Sequence, residues 1–510
     1  MKTTSVKKNF AYQLIYQVLV IILPFITSPY ISRVIGAEGL GIYSYSYSVA
    51  YYFVLFSLLG IANYGNRTIA QVRENQEKLS YVFSSLVVAH ILFSVIFCII
   101  YILYVTLLAE DKLYAAIQVF YVLSGLFDIS WFYFGIEKFK FTVTRNVIIR
   151  IINVICVFAF VHEKGDLWKY CLIMALSTLL SQMVLWIPLK NYISFRKPTW
   201  GEMKVHIKPL MILFIPTVAV SLYKYMDKIM IGILSDKIQL GFYENAEKVI
   251  NIPMTVVSAF GTVMLPKMSN LVVNNDNDLS SRYIKVSMEF IMYLAVGLSF
   301  GLAGCARVFA PVFWGNSFSF CGELIRGMSI TIPFIAFANV IRTQYLIPKE
   351  NDREYMVSVI IGAFINLIIN CFLIVKYGAY GAMIGTIVAE ISVCIIQILF
   401  VKRELPIGDY IKSTIFYFPM GLFMFVVVSF LGRVLGTHTY TLLIQVSIGG
   451  VLYVGMGICF FYITKNVVFM NNWNRLICTL KRLPTQKNRR LIWPPGMHLT
   501  VDFLSVYKYI

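Results

Sequence analysis

Long uninterrupted apolar runs constrain this chain more than any other feature. They lie at about 10–32, 41–64, 81–108, 113–135, 147–161, 168–189, 209–234, 240–265, 285–305, 323–347, 355–375, 380–401, 412–433 and 440–464, bounded by charges or by Gly, Pro and Asn clusters. A helix needs about 20 apolar residues to cross about 30 Å of hydrocarbon. In lipid, only helices and closed barrels satisfy every backbone hydrogen bond. The runs are continuous and too long for the roughly ten-residue alternating strands of a barrel. An all-α membrane protein with about 14 transmembrane helices is therefore expected. Composition agrees. AVILMFWYC make up 59% of the 510 residues and charged residues 14%, against about 45–50% and about 25% in soluble proteins. An ordinary soluble enzyme, a disordered chain and a disulfide scaffold are excluded.

The chain is nonetheless strongly basic, with 44 Lys+Arg against 25 Asp+Glu and a formal charge of +19. Such a balance points to nucleic acid or to an anionic membrane surface. Sorting the basic residues by side, with the N-terminus inside, places 31 of 44 in inside segments, 8 outside and 5 within spans. That distribution follows the positive-inside rule, so both termini are expected in the cytoplasm and nucleic acid is not required. The start, Met1 to Lys8 followed by an apolar run, reads as an uncleaved first span. None of the nine Cys forms a CxxC, and the five His give no HxxxH or HExxH pair. No GxxxxGK[ST] is present for ATP. No metal, cofactor or catalytic residue is expected.

The sequence repeats. Ile35-Gly36 followed by Leu40-Gly41-Ile42-Tyr43 recurs as Ile231-Gly232 followed by Leu240-Gly241-Phe242-Tyr243. Each copy joins a first span to a second, and each first span holds a proline, Pro24 and Pro216. Two six-helix lobes related by an axis along the membrane normal are predicted. The divisions are 1–196 (spans 1–6), 209–401 (spans 7–12), two further spans in 412–464, and a basic cytoplasmic tail at 465–510.

These residues carry a resemblance. The stretch Asp227 to Gly232, followed by Leu240 to Lys248 (Leu-Gly-Phe-Tyr-Glu-Asn-Ala-Glu-Lys), resembles the start of the second lobe in Wzx-type bacterial polysaccharide flippases. These belong to the MOP superfamily, which also holds the MATE transporters. Trp131 to Lys140, Tyr345 to Asn351 with Asn366 downstream, and Tyr377 to Thr386 match in order and spacing over about residues 10–460. The tail from about 470 departs from the pattern. The resemblance implies two lobes around a central cavity in the bacterial cytoplasmic (inner) membrane. It implies alternating-access transport of an undecaprenyl-diphosphate-linked oligosaccharide for capsule, O-antigen or exopolysaccharide synthesis. The partners it implies are this polyprenyl-diphosphate-linked oligosaccharide, membrane lipids, H⁺ or Na⁺, and polysaccharide polymerase or export proteins.

Ionisable residues inside spans are costly and are functional candidates by default. Lys224, Asp227 and Lys228 in the seventh span share i, i+3, i+4 spacing with Glu244, Glu247 and Lys248 in the eighth. Each trio falls on one helix face, and depth counting at about 1.5 Å per residue lets the two meet. Two readings fit. One is a neutral network pinning the helices or closing an outer gate. The other is a site whose pairs exchange partners, freeing Lys224 and Lys228 for a diphosphate while a carboxylate takes a proton or Na⁺. Arg326 and Arg342 are further diphosphate candidates, because the guanidinium fork suits phosphate oxygens. Asp128 and Glu390 are carboxylates within spans, each expected to pair with a neighbour or to carry a coupling ion. Tyr43, Tyr47 and Tyr51 share a face that reads first as an interfacial aromatic belt and second as a sugar-stacking surface. Asn366 and Asn370 read as interhelical hydrogen-bond glue.

Other activities fit less well. Asp276-Asn277-Asp278 mimics a sugar-transferase DxD but has no soluble nucleotide-binding domain around it. A membrane polymerase would need a substantial external domain, whereas the longest external stretch, 306–322, is largely apolar. A drug/cation antiporter of the same superfamily would favour fewer cationic side chains in its cavity. A peptidoglycan-precursor flippase fits the same residues.

Overall fold

The computed structural model describes residues 6–274 and 276–464, with side chains from Leu23 onward apart from Pro216 and Tyr223. The expected basic tail at 465–510 and the Pro216 side chain lie outside what is described. The described residues form helices joined by short loops, without strands. In order these are α1 (Val6–Leu58), α2 (Ile61–Val72), α3 (Gln76–Leu107), α4 (Lys112–Ile117), α5 (Val119–Leu126), α6 (Ser130–Gly135), α7 (Phe139–Phe160), α8 (Leu167–Val184) and α9 (Trp200–Leu234). They continue as α10 (Lys237–Val273), α11 (Asn277–Trp314), α12 (Ser319–Met328), α13 (Thr331–Ile341), α14 (Asp352–Tyr377), α15 (Ala379–Val401), α16 (Ile407–Thr414), α17 (Tyr417–Leu435) and α18 (Thr439–Ile463).

Twelve helical runs are long and apolar enough to span a membrane, or thirteen if the bent pair Asn316–Met328 and Thr331–Leu346, 44° apart, is one span. The count differs from the expected fourteen for a reason found in α1. Its 53 residues include one non-helical position, Gly36, with φ 73° and ψ 179°. A continuous helix of that length would reach about 80 Å, far beyond a bilayer. A residue with a Cβ resists that φ, so glycine permits the break. Leu23–Val72 still enters the count as one run. Two other expected spans are fragmented: 113–135 forms α4, α5 and α6, and 323–347 forms α12 and α13. After α13 the chain takes one π-helical stretch, Arg342–Leu346.

Helix starts follow local chemistry. Thr199 and Glu202 form a reciprocal capping box at α9, with Thr199 N–H donating to Glu202 Oε2 at 2.7 Å. Asp236 opens α10 by accepting from Gln239 N–H at 2.6 Å. Asp276 does the same for α11 through Leu279 N–H, so the first carboxylate of the DxD lookalike serves as a helix cap.

Packing sorts the helices into two halves. α1 to α8 pack among themselves, α9 to α15 form a second group, and α17 and α18 lie against α11. The halves join mainly through α1 and α10. Successive loops alternate between two ends of the bundle. At one, the hairpin end, Gly41 packs against the Lys237 backbone, and Arg33 donates to the Val312 and Phe313 carbonyls at 3.0 and 3.2 Å. At the other, Arg73 pairs with Glu137, and Lys349 with Glu404 at 3.2 Å. There α9 also leans on the first half: Phe214 and Phe56 lie edge to face at 5.3 Å, and Tyr64 bonds His206 Nδ1 at 2.9 Å. Large apolar side chains such as Phe372 and Val451 remain more than 70% exposed, as side chains facing lipid rather than water do.

Candidate functional site

The site forms where the two copies of the repeated motif meet. A Cβ on Gly41 would lie 2.6 Å from the Lys237 carbonyl carbon, and one on Gly241 2.7 Å from that of Ala37. Each glycine therefore admits the backbone that runs four residues ahead of the other glycine. Asn245 Nδ2 donates to Ser32 Oγ at 2.9 Å beside this contact. The Lys237 ammonium sits 3.5 Å from the Tyr45 ring centroid while donating to the Gly232 carbonyl at 2.9 Å. Backbone contact, hydrogen bond and cation–π interaction together seal the hairpin end between the halves.

One turn deeper lies the charge cluster expected from the sequence. Lys228 Nζ is 2.7 Å from Glu244 Oε2 and 2.8 Å from Glu247 Oε2. Lys248 Nζ is 3.4 Å from Glu244 Oε1. Ser44 of the first half donates to Glu244 Oε2 at 2.8 Å. Buried ions of this kind persist only when paired and hydrogen-bonded on all sides.

The first trio splits between two neighbours. Asp227 turns away from Lys228 into the second half. Its Oδ2 accepts from Tyr243 Oη at 2.7 Å and lies 2.8 Å from Thr386 Oγ1. Its Oδ1 accepts from Asn370 Nδ2 at 2.7 Å, and Asn370 Nδ2 also reaches Asn366 Oδ1 at 3.1 Å. The buried Asn370 Oδ1 has no hydrogen-bond partner among the described residues. Adjacent positions on a helix differ by about 100°, enough to send Asp227 and Lys228 to different neighbours. The glue role read for Asn366 and Asn370 holds, with a carboxylate as part of what they hold. Tyr243 and Thr386 were not read as site residues, since an uncharged hydroxyl in an apolar run gives little signal. Their visible clue is position: Tyr243 ends the repeated motif and Thr386 the motif beginning at Tyr377.

Two cavities flank this cluster. The first, about 350 Å³, lies between the halves and is lined by Tyr43, Tyr47, Tyr170, Tyr225, Arg150, Lys228, Glu244 and Lys248. The second, about 290 Å³, lies in the second half and is lined by Lys224, Asp227, Glu247, Arg342 and Glu390. Glu244 faces the first and Glu247 the second, so the Lys228 ion pairs form the wall between them. Lys224 is exposed and makes no ion pair among the described residues. Arg342 begins the π-helical stretch, a feature frequent at functional sites, with its guanidinium 5.6 Å from the Tyr355 ring centroid.

Two placements differ from expectation, while Asp128 follows the first of its two readings. Arg326 lines neither cavity; its guanidinium lies 5.0 Å from the Phe425 ring centroid, because α12 presents it to α17. Asp128 also lines neither and bonds to a neighbour, its Oδ1 accepting Ser130 N–H at 2.8 Å where α6 begins. Tyr43 and Tyr47 form no interfacial belt but face the first cavity, because the break at Gly36 turns this arm of α1 toward α9 and α10.

The comparisons agree with this architecture. A family model described as polysaccharide biosynthesis protein matches residues 6–272. A candidate O-antigen transporter of Escherichia coli (strain K12) is 22% identical over 408 residues, covering 78% of this chain and 97% of that protein. The lipid II flippase MurJ of Bacillus subtilis (strain 168) is 23% identical over 228 residues, 41% of each chain. Among solved structures, lipid II flippase MurJ in an inward closed conformation superposes with a TM-score of 0.74 at 16% identity, covering 90% of this chain and all of that one. An inward-facing MATE-family multidrug resistance transporter of the MOP superfamily gives 0.54 at 11% identity, covering 74% and 94%. At those identities the likeness is one of fold.

Proposed function

The chain belongs to the polysaccharide biosynthesis protein family, and from that premise we propose that it is a flippase for a lipid-linked oligosaccharide. The cargo is an undecaprenyl-diphosphate-linked repeat unit, carried across the bacterial cytoplasmic membrane for capsule, O-antigen or exopolysaccharide synthesis. The observation that carries this reading is the cavity between the halves, with Arg150, Lys228 and Lys248 on its walls and a closed hairpin end above it. Cationic walls suit a diphosphate, and transport of an intact molecule needs no covalent step.

In this reading the halves are pseudo-symmetric lobes, 1–196 and 209–401, followed by helices in 412–464. The basic loop end and the tail at 465–510 face the cytoplasm, as the positive-inside rule favours, and the hairpin end faces outside. The headgroup enters from the cytoplasmic side while the polyprenyl tail stays in lipid. Lys228 exchanges a carboxylate for the diphosphate, and Lys224 and Arg342 receive it as the wall between the cavities opens. Asp227, held by the neutral donors of Tyr243, Thr386 and Asn370 with the unpartnered Asn370 Oδ1 beside it, takes the coupling H⁺ or Na⁺. Glu244, Glu247 and Lys248 act as the gate, and Glu390 faces Arg342 across the second cavity.

A peptidoglycan-precursor flippase is the second reading, favoured by the likeness to the Bacillus subtilis protein. The test is the sidedness and sugar content of lipid-linked oligosaccharide after loss of the gene. Accumulation of a repeat unit on the inner leaflet is expected. Unchanged sidedness overturns the flippase reading, and accumulation of a peptidoglycan precursor selects the second.

A further inference from the structure

The first cavity carries an aromatic surface that ion pairing and gating do not use. Tyr43 and Tyr47 stack at 5.9 Å, and Tyr170 meets Tyr43 edge-on at 4.9 Å. Tyr225, from the opposite half, lies 6.4 Å from Tyr47 and stacks on Tyr51 at 3.9 Å with 26° between planes. The array therefore crosses the boundary between the halves.

Its hydroxyls distinguish it from ordinary core packing. A buried tyrosine usually finds a hydrogen-bond partner, and Tyr121 does so by donating to Tyr47 Oη at 3.4 Å. The hydroxyls of Tyr43, Tyr170 and Tyr225 have no hydrogen-bond partner among the described residues, yet they are not among the buried unpartnered atoms. They open into the cavity, where a ligand or water can meet them. Rigid aromatic faces beside unpartnered hydroxyls suit a molecule with one C–H-rich face and a hydroxylated edge, which is a pyranose ring. A polyprenyl chain would desolvate those hydroxyls and leave them unpaired, which disfavours it as the occupant.

We infer that Tyr43, Tyr47 and Tyr225 form a stacking subsite for the sugar ring joined directly to the diphosphate, which lies toward Lys228 and Lys248. The inference rests on the flippase reading. The cavity volume, about 350 Å³, is at the low end of the roughly 300–1,000 Å³ of small-ligand pockets. That is room for a sugar ring beside the diphosphate.

The test measures binding of two probes, undecaprenyl diphosphate and undecaprenyl-diphosphate-N-acetylglucosamine, to the full chain in lipid nanodiscs. Loss of one ring face is scaled on a single aromatic pair, a few-fold to about tenfold in affinity. Tyr47→Leu and Tyr225→Leu should each weaken the sugar-bearing probe about three- to tenfold and the bare diphosphate less than twofold. Tyr47→Phe, which keeps the ring face and loses a hydroxyl already bonded by Tyr121, should recover most of the sugar-dependent affinity, and Tyr225→Phe, which also loses an unpartnered hydroxyl, should recover only part of it. Footprinting of the wild-type chain with hydroxyl radicals needs no variant, and the sugar-bearing probe should protect Tyr43, Tyr47 and Tyr225 more than the bare diphosphate does. Equal loss for both probes in the Leu variants, or equal protection by both in the footprint, overturns the subsite alone. A wild-type chain that binds neither probe overturns the flippase reading and the subsite with it.

Discussion

Adding one methyl group at Gly41 or Gly241 should drive the hairpin end open. The Gly41 Cβ would lie 2.6 Å from the Lys237 carbonyl carbon and 3.0 Å from its Cα, and the Gly241 Cβ 2.7 and 3.0 Å from the same atoms of Ala37. The Lys237 and Ala37 carbonyl oxygens lie closer still, and favourable carbon–carbon separations are about 3.5–4.0 Å, so the backbones must part by more than about 1 Å. They belong to rigid helices on opposite halves, and rotating one half about the other relieves the clash at least cost. Overpacking of this size costs about 1–3 kcal/mol, and each ~1.4 kcal/mol is a factor of ten in population. Gly41→Ala and Gly241→Ala should therefore each favour the outside-open state by about 5- to 100-fold. The assay is labelling of Met174→Cys, which lines the first cavity, by a membrane-impermeant maleimide on whole cells. The chain would first be freed of its nine native cysteines. Labelling should accelerate at least fivefold in each variant. The double variant should gain less than the sum in free energy, since relieving one contact relieves the other. A variant that reaches the membrane at normal levels yet labels within twofold of its parent would refute the argument.

Asp227→Asn should leave the chain folded but abolish the H⁺ or Na⁺ dependence of transport, as measured in proteoliposomes under imposed gradients; unchanged dependence removes Asp227 from coupling. Lys228→Met leaves Glu244 and Glu247 without their shared cation, and breaking a buried pair from one side costs about 3–5 kcal/mol. Its melting temperature should fall clearly, and adding Glu244→Gln and Glu247→Gln should restore much of the loss. Arg342→Leu should cut transport at least tenfold and Arg326→Leu by less than twofold, because only Arg342 faces a cavity. At the basic end, bonds from Tyr345 and Lys349 hold the Glu404 carboxyl below its usual 4.5. A lowered folded-state value means that its stabilisation is present above about pH 4.5 and lost as pH falls through the folded value. The melting-temperature advantage of wild type over Glu404→Gln should therefore shrink below about pH 4.5, and an advantage that grows there would contradict the assignment.

What the sequence made legible follows from what apolar periodicity and charge can encode. A run such as 355–375 has one fate in lipid, so span positions and the all-helical class could be read directly. The charge cluster was legible because Lys228, Glu244 and Glu247 are too costly to bury singly, which makes their pairing nearly obligatory. The join at Gly36 was legible for the same reason, since the apolar runs 10–32 and 41–64 end on either side of it and Arg33 and Glu38 lie between them. Breaks inside a single apolar run were not. Nothing in the run 323–347 announces the bend between α12 and α13, on either side of which Arg326 meets Phe425 and Arg342 meets a cavity.

The split within the first trio shows the limit most sharply. Spacing of i, i+3, i+4 places Lys224, Asp227 and Lys228 on a broad face, but that face meets two neighbours at once. Lys228 finds carboxylates on α10, whereas Asp227 finds only neutral partners: Tyr243 on α10, Thr386 on α15 and Asn370 on α14. Uncharged partners cannot neutralise a carboxylate, so the cost of burying Asp227 is met by hydrogen bonds alone. An added proton or cation would lower that cost, and withdrawing it would raise it. Lys228 is in the opposite position, because its charge is already balanced and can be released only when another anion arrives. One turn of α9 thus holds a residue that gains from a cation beside one that gains from an anionic cargo. In the proposed cycle, binding of either would act on the helix turn that carries Lys228 and its wall of ion pairs.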